Sequence, residues 1–99
     1  MVTNILTAVV TAYVATGHCV AYNKPNAHLP VAGFTIALPR RFALGSSVEV
    51  TGADGVLRRY HGEDRTAKKY DGRFDIFVDT REHALAWGRQ TLKVTVITP

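Results

Sequence analysis

The strongest constraint on how this chain can fold is a pattern that it carries twice. Phe34-Thr35-Ile36-Ala37-Leu38 leads through Ala43-Leu44-Gly45 to Val48-Glu49-Val50, and Phe74-Asp75-Ile76-Phe77-Val78 leads through Ala86-Trp87-Gly88 to Val94-Thr95-Val96. Each copy reads as strand, connector, glycine, strand, because β-branched and aromatic residues suit a pleated, half-buried surface and glycine punctuates it. Two related halves with pseudo-twofold symmetry follow from such a repeat. A closed barrel would pair the strand edges that each half leaves open, and an open sandwich would carry the same pattern. The chain has 99 residues, and that length buries a little over ~60% of its unfolded surface, enough for one core. A single domain over residues 1–99 is therefore expected. With 46% hydrophobic and 20% charged residues, the composition is that of a globular domain and excludes a disordered or collagen-like chain.

The remaining elements fit around the repeat. Residues 5–14 combine β-branched residues with partial alternation and predict an opening strand, followed by a loop over 15–33 rich in Gly, Pro, Asn and His. A loop of that length is often a functional lid or an exchanged segment. Ser47–Thr51 and Val56–Tyr60 predict a hairpin closed at Gly52-Ala53-Asp54-Gly55. A polar segment spans 61–73, a short helix 81–87 and a final strand 91–97. Asp79 with Glu82 three residues later resembles a capping box, and Gly88 stands where a helix ends. Ala84, Leu85 and Trp87 form the expected buried side of that helix. The apolar opening stretch lacks a basic leader and is too short to span a bilayer, so no membrane span and no signal peptide are expected in this chain.

Twelve Lys and Arg against eight Asp and Glu give a formal charge of +4, which suits an acidic partner such as nucleic acid, an anionic cell wall or a membrane surface. Arg40-Arg41, Arg58-Arg59 and Lys68-Lys69, with Tyr60 or Tyr70 to stack on bases, are the residues a nucleic acid would use. No RNA-binding signature accompanies them, so a solvated basic face is the expectation and nucleic acid is not. Cys19 is the only cysteine, which rules out an internal disulfide. His18, Cys19, His28 and His61 could in principle ligate zinc, but no pair of them shows the spacing of zinc sites. Neither a metal nor a cofactor is expected.

Two acids stand out chemically. Asp75 lies between Phe74 and Ile76, so strand alternation points its carboxylate away from the face those residues occupy, on the side of Phe77 and Asp79. Desolvation beside an aromatic ring would raise its pKa toward that of a general acid; a solvated outward carboxylate is the ordinary alternative. Asp64, in Gly62-Glu63-Asp64-Arg65-Thr66, falls where a strand gives way to a polar loop. Arg65, Lys68 and Lys69 follow it and would hold it ionised. Asp64 then suits an electrostatic role and Asp75 proton donation. Asp79 reads first as a helix cap.

The second half also resembles a known family, the three-aspartate (3D) domain of bacterial cell-wall enzymes, related to membrane-bound lytic transglycosylase A. Gly62-Glu63-Asp64-Arg65-Thr66-Ala67 stands for the family's Asp-Thr-Gly loop, and Gly72-Arg73-Phe74-Asp75-Ile76-Phe77 follows at the family's spacing. Glu82 through Arg89 is similar to its helix ending in Trp-Gly-Arg, Val10-Thr11-Ala12-Tyr13 to its opening strand, and Ile36-Ala37-Leu38-Pro39 with Leu44-Gly45-Ser46 to its central segment. The likeness spans residues 9–97. Two departures stand out: Asp64 is followed by Arg rather than Thr-Gly, and Leu38 occupies the place of the first family aspartate. The resemblance implies a mainly β fold, a six-stranded double-psi β-barrel with one or two short helices. It implies non-hydrolytic cleavage of the peptidoglycan bond between N-acetylmuramic acid and N-acetylglucosamine, in the cell envelope or outside the cell. Asp75 and Asp64 would be catalytic, and Tyr13, Thr11, Lys68, Lys69 and Asp79 would contact the glycan. Loss of the first aspartate leaves a glycan-binding barrel without activity as the alternative.

Overall fold

A computed structural model describes residues 1–14 and 30–99. Its elements are β1 (Val2–Tyr13), β2 (Thr35–Leu38), β3 (Ser47–Thr51), β4 (Leu57–Arg65), β5 (Phe74–Phe77), α1 (Arg81–Trp87) and β6 (Gln90–Thr98), with a 3-10 turn over Lys68–Tyr70. The strands close into one six-stranded mixed barrel in the order β1-β5-β2-β4-β3-β6. His18, Cys19, His28 and most of the loop expected over 15–33 fall outside the described residues.

The interleaving of strands is that of a double-psi barrel. β5 inserts between β1 and β2, and β2 inserts between β4 and β5. The two crossings are related by exchange of β1 with β4, β2 with β5 and β3 with β6. Under that exchange the parallel pair β1·β5 becomes β4·β2, and the antiparallel pair β1·β6 becomes β4·β3. The antiparallel pairs β2·β5 and β3·β6 map onto themselves, with Ile36 opposite Ile76 and Val48 opposite Val96. The repeated sequence pattern is this pseudo-twofold axis, and closure gives every strand of the barrel a neighbour on both sides.

Alternation selects the core. Val10, Ile36, Leu38, Val48, Val50, Phe74, Val94 and Val96 have no solvent exposure and pack in one cluster with Ile76, Tyr60 and Leu92. Each such side chain contributes about 1.5–3 kcal/mol by burial. Leu38, where the resemblance places an acid, is one of these core residues. Gly62 permits a close approach of the two halves: a Cβ there would collide with Leu38 and lie 3.0 Å from the Ser46 carbonyl. Its N–H donates to Ser46 O and its carbonyl accepts from Gly45 N, both at 2.8 Å.

Several local expectations shift. The hairpin closes as expected, with Thr51 opposite Leu57 and Gly55 at φ 80°. β4, however, continues through the expected polar segment as far as Arg65, because β2 supplies a parallel partner there. The cap of α1 is Thr80 rather than Asp79; its hydroxyl accepts from His83 N at 3.1 Å. Ala84 and Trp87 face inward, but Leu85 is 71% exposed, since a helix this short turns only one edge to the barrel. Trp87 anchors that edge by donating its indole N–H to Val10 O at 3.0 Å.

Candidate active site

Ala37 is the organising position. It is in register with Asp75 on β5 and with Asp64 on β4, and Asp75 is in register with Thr11 on β1. Residues in register on neighbouring strands project to the same face, so Asp64, Ala37, Asp75 and Thr11 form one transverse row on the outside of the barrel. Ile36 and Ile76, next to Ala37 and Asp75 on the same strands, fill the core behind it.

A β-bulge puts Asp64 in that row. Tyr60 and Gly62 lie on the buried side of β4, and strict alternation would send Asp64 into the core after them. The register of β2 and β4 shifts between Ile36 and Ala37: Ile36 pairs with Gly62, whereas Ala37 pairs with Asp64. Glu63 is the extra residue, and the bulge turns Asp64 to the outer face.

Hydrogen bonds fix both acids. Thr11 donates its hydroxyl to Asp75 Oδ1 at 2.9 Å. Tyr13 donates its phenol to Asp64 Oδ2 at 2.9 Å, and Arg65 donates its backbone N–H to Asp64 Oδ1 at 2.8 Å. The Tyr13 ring packs edge-on against Phe77 with centroids 5.3 Å apart. Asp64 is only 3% exposed, whereas Asp75 is partly open. Of the two, Asp75 is the carboxyl a ligand can reach.

Burial drives the chemistry of Asp75. Desolvation raises its pKa from 3.8 to about 6, opposed by the Thr11 hydrogen bond and the charge of Arg73 and reinforced by the charge of Asp64. A neutral carboxyl is thus substantially populated near pH 6, as a proton donor requires.

The other sequence candidates stand apart from this row. Arg65 turns its guanidinium to the carbonyls of Pro39 and Phe42, at 2.8 and 2.6 Å, so what it donates to Asp64 is its backbone N–H. Lys68 and Lys69 lie on the exposed 3-10 turn, with Lys69 Nζ 5.0 Å from the Tyr70 ring centre. Asp79 is exposed and bonds to His83 Nδ1. His83 holds the Asp79 carboxyl below its ordinary pKa. Among the described residues no cluster of three or more His, Cys, Asp or Glu is arranged to hold a metal ion.

Ala37 and Arg73 are the positions of this row and its surroundings that sequence reading passed over. Ala37 is an apolar strand residue whose importance comes from what its neighbours carry, and the β2·β4 and β2·β5 pairings that create it are not local. Arg73 could have been noticed two residues before Asp75. Comparison with known proteins finds no matching family model, no matching curated protein and no matching solved structure.

Proposed function

We propose that this barrel is a peptidoglycan-cleaving domain of the lytic-transglycosylase type, acting in the cell envelope or outside the cell. The observation that carries the reading is Asp75: a partly accessible carboxyl with a pKa near 6, oriented by Thr11, with a buried second acid one strand beyond Ala37. Protonated Asp75 donates to the glycosidic oxygen between N-acetylmuramic acid and N-acetylglucosamine as the C1–O bond breaks. The resulting carboxylate takes the proton of the sugar's own 6-hydroxyl, whose oxygen bonds to C1 and closes a 1,6-anhydro ring. Asp75 serves in turn as acid and base, and water is not consumed. The buried charge of Asp64 keeps the Asp75 proton held to higher pH and favours positive charge developing on the sugar.

Digestion of purified sacculi tests this. Anhydro-muropeptides that disappear with Asp75→Asn support the proposal, and products with ordinary reducing ends point to a hydrolase instead. A glycan-binding barrel without activity is the second reading, favoured by Leu38, which fills the core where the resemblance has an acid. Sacculus binding with no product of either kind would select it.

A further inference from the structure

The positive charge of this protein is unevenly spent. Arg58 is paired with Asp54 and Arg59 with Glu49, and Arg65 caps two backbone carbonyls. Lys69, Arg73 and Arg89 are different: together with Val9, Tyr70, Asp71 and Gly72 they line a surface cleft, and no ion pair engages them among the described residues. Asp71, the one acid in the cleft, accepts the Arg40 backbone N–H at 2.8 Å.

The cleft adjoins the acid row. Val9 precedes Thr11 by two residues on β1, and Arg73 precedes Asp75 by two at the entry to β5; β1 and β5 run parallel with Thr11 opposite Asp75. Two residues along a strand is a step of about 7 Å on one face. The step leads away from the side of Asp75 where Tyr13 and Phe77 pack. The Arg73 guanidinium lies 3.8 Å from the centre of the half-exposed Tyr70 ring. A cation–π contact of this kind keeps the guanidinium beside an aromatic surface, and its N–H groups make no hydrogen bond among the described residues.

We propose that the Lys69–Tyr70–Arg73–Arg89 cleft is an anion-binding subsite for a carboxylate carried by the glycan, one sugar-length from the bond presented to Asp75. The proposal rests on the glycan-cleaving reading above and names the substrate feature that reading leaves open. The charge of Arg73 already reaches Asp75 and opposes its protonation. An anion bound at Arg73 cancels that opposition, so filling the subsite favours the proton-donor form of the acid.

The test uses the full chain carrying Asp75→Asn, so that nothing is cut. It is titrated with an oligosaccharide containing N-acetylmuramic acid with free carboxylates, with an N-acetylglucosamine oligosaccharide of equal length, and with an oligonucleotide. The carboxylated glycan is expected to bind about fivefold to tenfold more tightly than the neutral one, the effect of one or two exposed charge pairs. That advantage should shrink with salt and vanish when Arg73→Gln and Arg89→Gln are added. Lys69→Gln carries the same test if the combined variant does not fold. Equal binding of both glycans, or an advantage untouched by the substitutions, overturns the subsite while leaving glycan recognition intact. Binding of neither glycan overturns the glycan reading itself, and tighter binding of the oligonucleotide assigns the cleft to nucleic acid.

Discussion

Asp64 and Asp75 flank Ala37 from opposite sides, each in register with it on one of the two strands that border β2. The pair exists because β2 is inserted between β4 and β5, one of the two interlocked crossings that close the barrel. The acid with access to solvent has its pKa raised by burial, and the other is held by Tyr13 and a backbone N–H.

Under the proposed function, cleavage of peptidoglycan is expected to fall as pH rises through about 6, where Asp75 gives up its proton. Asp75→Asn should lower the rate by about 10²–10⁴-fold, the usual contribution of a general acid and base. A pH–rate profile from pH 4 to 9 with product analysis checks both statements.

The same carboxyl makes folding stability depend on pH in a defined direction. Its pKa is higher in the folded protein than the ordinary 3.8, so its stabilising proton uptake is complete below about pH 4 and is lost as pH rises through 6. Asp75→Asn should therefore be more stable than wild type at pH 8, by up to ~2 kcal/mol after allowing for partial solvent contact. The difference should shrink toward pH 4. Urea denaturation at the two pH values measures it.

Thr11→Val removes the hydroxyl that favours ionised Asp75. The alkaline limb of the pH–rate profile should move to higher pH. An unmoved limb would mean that another group controls it.

Ala37→Val places extra methyl groups between the two carboxylates. Overpacking of this kind costs about 1–3 kcal/mol, and displacing a catalytic group by about 1 Å costs on the order of 10²-fold in rate. Circular dichroism should show a folded barrel, and the sacculus assay a loss of that size.

Asp79→Asn should leave cleavage unchanged, because Asp79 is exposed and engaged with His83 rather than placed in the acid row. A loss comparable to that of Asp75→Asn would make Asp79 the third acid of the site.

The sequence by itself determined the local vocabulary of this protein. β-Branched alternation marked the strands, the repeat announced two related halves, Gly52 through Gly55 closed the hairpin, and Asp75 between Phe74 and Ile76 pointed away from the core. These features rest on contacts within a few residues or on the two-residue period of a strand. Only the tertiary structure decided what lies beside what. β4 runs on to Arg65 because β2 pairs with it, Asp64 faces outward because Glu63 is bulged against that partner, and Ala37 separates the acids because the two crossings interlock. Register between strands distant in the chain is set by closing the whole barrel, and no local pattern around residues 61–66 encodes it. The helix cap is Thr80 rather than Asp79: both residue types can cap, and it is the Thr80 hydroxyl that accepts from His83 N.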